Sequence, residues 1–313
     1  MTKPVVLMTG PFSEEDVAAL ERDYEIHKLW EQKDQAAFFA QHGPRIRAIA
    51  TRAELGARPE LLAQLPNVEM VSSFGVGLDA IDFPTCKARG IKVSYTPGVL
   101  TEEVADLTIA LMLGIARQLP QADAFMRRGE WVKGHYPLVT RMYGKRLGIL
   151  GMGQIGQAIA KRAASFSMPV SYHARHQRSD VAFPYHATAV DLARNSDFLV
   201  VIVPGGAATE KLVNADVLTA LGPKGFLVNV ARGSVVDEEA LLTSLENKAI
   251  AGAALDVFWN ERDINRRFFA LDNVVLHPHG GSATVETRGA MGKLVRDNLA
   301  AHFAGKPLLT PVG

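Results

Sequence analysis

Residues 145–160 read Lys-Arg-Leu-Gly-Ile-Leu-Gly-Met-Gly-Gln-Ile-Gly-Gln-Ala-Ile-Ala. Gly151, Gly153 and Gly156 form a G-x-G-x-x-G set. A strand-like apolar run, Leu147 to Leu150, leads into it, and a helix-like run follows. That context gives the glycines a mechanism. Gly151 permits a tight turn, Gly153 lets backbone approach a pyrophosphate, and Gly156 lets helix pack closely on strand. The amide N–H groups and dipole of the helix start then face phosphate charge.

The next strand of such a unit is Pro169 to Tyr172. About 20 residues past the glycines, a carboxylate normally takes the ribose 2′-hydroxyl of NAD. Here the strand ends in His173-Ala-Arg-His-Gln-Arg178, with no acid before Asp180. Arg175 and Arg178 are therefore candidates for a 2′-phosphate, since guanidinium forks match phosphate geometry and stay charged. NADPH is the expected cofactor.

Composition narrows the alternatives. The 313 residues suit two ordinary domains. A net charge of +1 gives no case for nucleic acid or an anionic membrane surface. The single cysteine, Cys86, excludes an intrachain disulfide and argues against a metal cluster; it reads as an inert buried thiol. No secretory-leader pattern opens the sequence. The longest apolar run, Leu107 to Ala116, is too short to span a bilayer. A reducing cytoplasm is expected.

Outward from the glycine turn, strand and helix patterns alternate. Before it, Pro4–Met8, Arg47–Ala50, Val68–Ser72 and Ile91–Ser94 read as strands. Ser13 reads as the cap of an acidic-start helix, and Leu61–Leu65 as a helix end. A mostly apolar helix is expected over 102–119, with Thr101 at its start and Leu119-Pro120 ending it. From Gln121 to Gly144 the pattern loosens around Trp131, His135, Tyr136 and Tyr143. After the turn, Phe198–Val203, Gly225–Val230, Ile250–Asp256 and Val274–Leu276 read as strands. Helices fill 190–194, 214–221 and 238–246. A long amphipathic helix, 285–303, closes the chain and could return to the first domain. The expected fold is α/β: two doubly wound Rossmann-like parallel-sheet domains with a cleft between them. Residues 1–98 plus 287–313 would form a flavodoxin-like substrate domain, and 99–286 the dinucleotide domain.

Ligands of doubly wound sheets bind beyond the C-terminal strand ends. Three such ends carry reactive groups: Arg232 after Phe226–Val230, Glu261 after Gly252–Asp256, and His279 after Val274–Leu276. Each alone is weak; together they suit an acid–base site with an anion clamp.

Several stretches then resemble the D-isomer-specific 2-hydroxyacid dehydrogenases over nearly the whole chain. They are Phe74-Gly-Val-Gly-Leu-Asp79, Thr96-Pro-Gly-Val-Leu-Thr-Glu-Glu-Val-Ala-Asp106, the Gly151 turn, Asn229-Val-Ala-Arg-Gly-Ser234, Ala254-Leu-Asp-Val-Phe258 and His277-Pro-His-Gly-Gly-Ser282. Val71-Ser-Ser-Phe-Gly-Val-Gly-Leu78 and the arginines after Tyr172 resemble the NADPH-dependent glyoxylate and hydroxypyruvate reductases, and the related hydroxyphenylpyruvate reductases.

The resemblance implies roles. Arg232 would hold the substrate carboxylate, His279 would exchange the proton with the keto oxygen, and Glu261 would orient the imidazole. Val76 and Gly77 would offer backbone N–H groups to the carboxylate. The nucleotide would meet Gly151, Met152, Gly153, Gln154, Ile155, Gly156, Ala174, Arg175, Arg178, Val203, Pro204, Thr209, Val230, Ala231, Asp256 and Gly281, with Asp256 on the carboxamide. The expected activity is reduction of a small 2-keto acid, glyoxylate or hydroxypyruvate, by NADPH in a homodimer. A nucleotide-sensing protein on this scaffold, and an NAD-linked dehydrogenase with a larger substrate, are the alternatives.

The sequence departs from the family pattern in places. Trp259-Asn-Glu261-Arg262 replaces Glu-x-Glu-Pro. His277 stands where Thr or Gln is common and reads as a packing residue or a brace behind the site; Gly280 stands where Ile is common. Gly205-Gly-Ala-Ala208 replaces Thr-Pro, leaving adenosine contacts there open. Trp131 could pack within the chain or face the pocket of a partner subunit.

Overall fold

The structure, a computed structural model, describes residues 3–312. It divides into two α/β units. One runs to Leu100 and resumes at Thr284; the other is Thr101–Ala283.

The first unit contains β1 (Val5–Met8), α1 (Glu14–Asp23), β2 (Glu25–Lys28), α2 (Gln35–His42), β3 (Ile46–Arg52), α3 (Pro59–Ala63), β4 (Met70–Phe74), α4 (Phe83–Arg89) and β5 (Lys92–Ser94). Its strands are parallel in the order β2-β1-β3-β4-β5, the flavodoxin-like order. β1 and β4 are buried throughout, as strands covered by helices on both faces must be. Ser13 starts α1 by accepting the Asp16 N–H at 3.1 Å. Three elements give little signal in sequence. β2 is a half-buried edge strand of four residues, and α2 and α4 span only eight and seven, too short to show a period.

The second unit contains α5 (Thr101–Arg117), α6 (Leu119–Arg127), β6 (Leu147–Leu150), α7 (Gln154–Ala164), β7 (Val170–His173), α8 (Ala189–Arg194), β8 (Phe198–Val201), α9 (Ala215–Leu221), β9 (Phe226–Asn229), α10 (Glu238–Glu246), β10 (Gly252–Leu255) and β11 (Val274–Leu276). The strand order is β11-β10-β9-β8-β6-β7, all parallel. β6 is thus flanked by the strand that follows it and by a later one, the switch point at which such sheets take nucleotides. Beyond β7, the next strand of a full nucleotide unit shrinks to one parallel bridge, Tyr172 with Tyr185.

The helix expected over 102–119 needs correction. α5 begins at Thr101 itself and ends at Arg117. Gln118 then adopts a left-handed conformation, φ 50°, and Pro120 opens α6. Proline suits a first helical turn, where its missing N–H costs nothing. It therefore starts a helix here, inside a stretch that looked irregular.

The last helix, α11 (Val285–Phe303), is capped by Thr284, which accepts the Thr287 N–H at 3.2 Å. It lies on the first sheet: the Ser72 hydroxyl on β4 donates to the Val295 carbonyl at 3.4 Å. A β-carbon on Gly292 would collide with the Asp16 carboxylate of α1. That close approach lets Arg296 reach the buried Asp16 at 3.1 Å.

Candidate active site

The three glycines after β6 have three different surroundings. Gly151 has φ +108°, and a β-carbon there would lie 2.6 Å from the Ile202 carbonyl oxygen. A β-carbon on Gly156 would collide with the Gly151 carbonyl. Gly153 faces open space and is the N-cap of α7, with no side chain capping the helix. The first-turn amides, through Gln154 and Ile155, are thus left for an anion. Two glycines are demanded by the protein's own packing. The third is where a diphosphate backbone fits.

Past β7, the Arg178 N–H donates to the Tyr172 hydroxyl at 2.9 Å, and Nη1 donates to the Met152 carbonyl at 3.0 Å. Its Nε and Nη2 pair with Asp180 at 2.9 and 2.5 Å. That hydrogen-bonded pairing raises the guanidinium's pKa and holds the Asp180 carboxyl below the ordinary range. Arg175 is exposed and forms no ion pair among the described residues. Ala174 receives the Tyr185 hydroxyl on its carbonyl. These donors suit the 2′-phosphate of NADP.

After β8, Val203 packs against Gly151, and the Thr209 hydroxyl donates back to the Pro204 carbonyl at 2.6 Å, closing the loop. Val230 and Ala231 have buried side chains, so only their backbone groups could meet a ligand.

Beyond β9 the chain turns sharply. Asn229, itself buried, accepts the Ala231 N–H at 3.1 Å and donates to the Arg232 carbonyl at 3.0 Å. A β-carbon on Gly233 would collide with the Phe258 backbone. Both features aim Arg232 off the strand end. The guanidinium's Nη1 also donates to the Ala231 carbonyl at 2.8 Å.

His279 and Glu261, 18 residues apart, meet: imidazole Nδ1 lies 2.8 Å from Glu261 Oε2. Both side chains are about one-third exposed, so the ring is reachable by solute. His279 has φ 48°, the left-handed region, which is uncommon for a residue with a β-carbon. β9, β10 and β11 are neighbours in one parallel sheet, so Arg232, Glu261 and His279 leave the same edge as the glycine turn.

Asp256 has a role that the sequence reading lacked. Its buried carboxylate accepts the Gly280 N–H at 2.7 Å and the Gly281 N–H at 3.0 Å, and His277 Nδ1 lies 2.6 Å away. It fastens the His279 loop whether or not it also meets a carboxamide. No local sequence signal gives this role, because Asp256 and Gly280 are 24 residues apart. His277 is a brace on this carboxylate.

The remaining candidates lie elsewhere. Val76 and Gly77 are in the first unit, in the loop after β4. Trp131 is 60% exposed in the turn Glu130–Val132, so this chain covers less than half of its surface. Cys86 is buried, and burial pushes its thiol up, away from the reactive thiolate. No helix among the described residues is long and apolar enough to cross a membrane.

Comparison with known proteins fits this geometry. The sequence profile of the D-isomer specific 2-hydroxyacid dehydrogenase NAD binding domain matches residues 109–281. Glyoxylate/hydroxypyruvate reductase A of Arabidopsis thaliana is 48% identical over 307 residues, covering 98% of each chain. Hydroxyphenylpyruvate reductase of Plectranthus scutellarioides is 45% identical over the same length and coverage. The crystal structure of the NADPH-dependent glyoxylate/hydroxypyruvate reductase of Sinorhizobium meliloti, in complex with NADP and malonate, superposes with a TM-score of 0.94. It is 45% identical, covering 100% of this chain and 97% of that one.

Proposed function

The chain belongs to the D-isomer-specific 2-hydroxyacid dehydrogenases, and from that premise we propose that it reduces a small 2-keto acid to the D-2-hydroxy acid with NADPH. Glyoxylate and hydroxypyruvate are the substrates proposed. The observation that carries this reading is the His279–Glu261 pair at 2.8 Å, on the sheet edge that also bears Arg232 and the open Gly153.

The reduced nicotinamide, when bound, supplies the hydride for the keto carbon. The chain's own residues do the rest. Arg232 takes the substrate carboxylate in its fork and polarises the keto oxygen. His279 gives its Nδ1 proton contact to Glu261, which leaves Nε2 to hold the proton that the keto oxygen receives. The turn amides at Gly153–Ile155 hold the diphosphate, and Arg175 and Arg178 the 2′-phosphate. In the reverse direction His279 Nε2 takes the proton back.

The exposed apolar side chains of Trp131, Val132, Leu138 and Tyr143 fit a homodimer interface, since aromatic residues anchor such contacts. A cytoplasmic setting suits the single reduced cysteine.

The test follows NADPH absorbance over a panel of 2-keto acids. Turnover of glyoxylate or hydroxypyruvate, lost in His279→Ala, supports the reading. Tight NADPH binding with no turnover on any keto acid would mark a nucleotide sensor instead.

A further inference from the structure

Two histidines leave β11, and each has a carboxylate within reach. His279 has Glu261. His277 has Asp256, at 2.6 Å from Nδ1, and the reaction scheme uses neither partner of that second pair for proton transfer. The whole 279–281 loop hangs on Asp256. The Asp256 carbonyl accepts the His279 N–H at 2.8 Å. Its carboxylate Oδ1 accepts the Gly280 N–H at 2.7 Å, and Oδ2 the Gly281 N–H at 3.0 Å. His277 donates the remaining contact, to Oδ1.

The ring's position depends on the absence of a side chain at residue 280. A β-carbon on Gly280 would collide with His277 Cε1 and come within 3.0 Å of Nδ1. Gly280 has no left-handed backbone angle that would itself demand glycine. The glycine is there to admit the imidazole.

We propose that His277 is a positioning residue for the reduction: it occupies the space left by Gly280 and braces the Asp256 carboxylate that fixes the loop presenting His279. This rests on the reading of His279 as proton donor. The physical basis is that a buried carboxylate with all its donors in place cannot rotate. With the ring removed, Oδ1 keeps only the Gly280 amide. The carboxylate and loop then gain freedom, and the proton on His279 is delivered from a scattered set of positions. A misplacement of about 1 Å at a reacting group can cost up to about 100-fold in rate.

The experiment uses the 313-residue chain, its His279→Ala variant as reference, and four further variants: His277→Ala, His277→Asn, Gly280→Ala and Gly280→Ala/His277→Ala. Asparagine carries an N–H donor at the reach of Nδ1. Wild-type turnover and its loss in His279→Ala are measured first, so failure of the proposed reaction shows there, independently of His277. Three readouts follow. The first is kcat, corrected for NADPH-binding stoichiometry. The second is the solvent deuterium isotope effect on kcat, which a reduced fraction of folded protein cannot change. The third is amide hydrogen exchange at Gly280 and Gly281 in nucleotide-free protein.

The expected result for His277→Ala is a kcat about tenfold lower, a larger isotope effect and faster exchange at both amides. The NADPH dissociation constant should change less than kcat, because the glycine turn is untouched. His277→Asn should recover most of each change. Gly280→Ala should resemble His277→Ala, and the double variant should be no worse than either, since the colliding ring is gone. The proposal is overturned if His277→Ala leaves kcat and isotope effect unchanged, if asparagine rescues nothing, or if the two single losses simply multiply. Should His277→Ala fail to fold, Gly280→Ala and His277→Asn decide the matter by the same readouts.

Discussion

Arg178 donates from Nη1 to the Met152 carbonyl at 3.0 Å, which ties the guanidinium beyond β7 to the middle of the glycine turn. The basic group and the diphosphate cradle are therefore one assembly. The Asp180 carboxylate on its other face is exposed, and an exposed ion pair is worth little. A phosphate dianion can replace it at small cost.

Cofactor preference follows. Wild-type kcat/KM should favour NADPH over NADH. Arg178→Ala should lower the NADPH value by about 10- to 100-fold, the worth of a charge-assisted hydrogen bond, with NADH nearly unaffected. Arg175→Asp should act in the same direction through repulsion. Steady-state kinetics with both nucleotides checks this, and a wild-type preference for NADH would refute it.

The three turn glycines should separate stability from binding. Gly151→Ala places a side chain at φ +108° against the Ile202 carbonyl and should cost about 1–3 kcal/mol. Gly156→Ala should also destabilise, by collision with Gly151. Gly153→Ala meets nothing, so its Tm should match the wild type while NADPH affinity drops. Thermal melts and nucleotide titration of the three variants distinguish these outcomes.

The catalytic groups should rank in a fixed order. His279→Ala removes the donor and should lower kcat by about 10²–10⁴-fold. Glu261→Gln keeps an acceptor for Nδ1–H and should do less harm than Glu261→Ala. Arg232→Ala should damage KM and kcat together, because the fork holds the carboxylate in the ground state and also stabilises the charge that builds on the keto oxygen in the transition state. Equal activity of Glu261→Ala and wild type would remove the orienting role.

Stability should fall in mild acid. Burial pushes His27 below its ordinary value of 6.5, with His42 adding to the effect. Burial also lowers His302, against a smaller upward pull from Glu69. The folded state then binds fewer protons than the unfolded one, so this stability is whole above pH 6.5 and is lost as pH falls below it. The Tm should decline from about pH 7 to about pH 5. His27→Phe, in a site already lined by the Phe38 ring at 5.3 Å, should flatten the decline. An unchanged slope would assign it to other groups.

Assembly is tested at the exposed arm. Trp131→Glu should shift a dimer toward monomer in sedimentation, because a charge at an apolar interface core is costly. A wild-type monomer would remove the interface proposal.

Much of the fold is legible because its signals are local. β11 and α11 span in the structure the same residues that their patterns mark, 274–276 and 285–303. The Gly151 turn is legible for the same reason: strand, glycines and helix start lie within sixteen consecutive residues. Pro120 shows where local signals mislead. It reads as a helix end, yet it lies in the first turn of α6, since the break comes two residues earlier, at the left-handed Gln118.

Sequence by itself determined the two parallel α/β units and the glycine turn, and it marked Arg232, Glu261 and His279 as the groups that follow three strand ends. Each rests on residue type within a single strand, turn or strand end, where local chain geometry leaves few choices. Tertiary structure alone decided which carboxylate each histidine meets, Glu261 for His279 and Asp256 for His277. It also decided that Asp256 fastens the loop and that Gly280 is open for a ring. These partners lie 18 to 25 residues apart along the chain. Their meeting depends on the lateral pairing of β10 and β11, which no local pattern encodes.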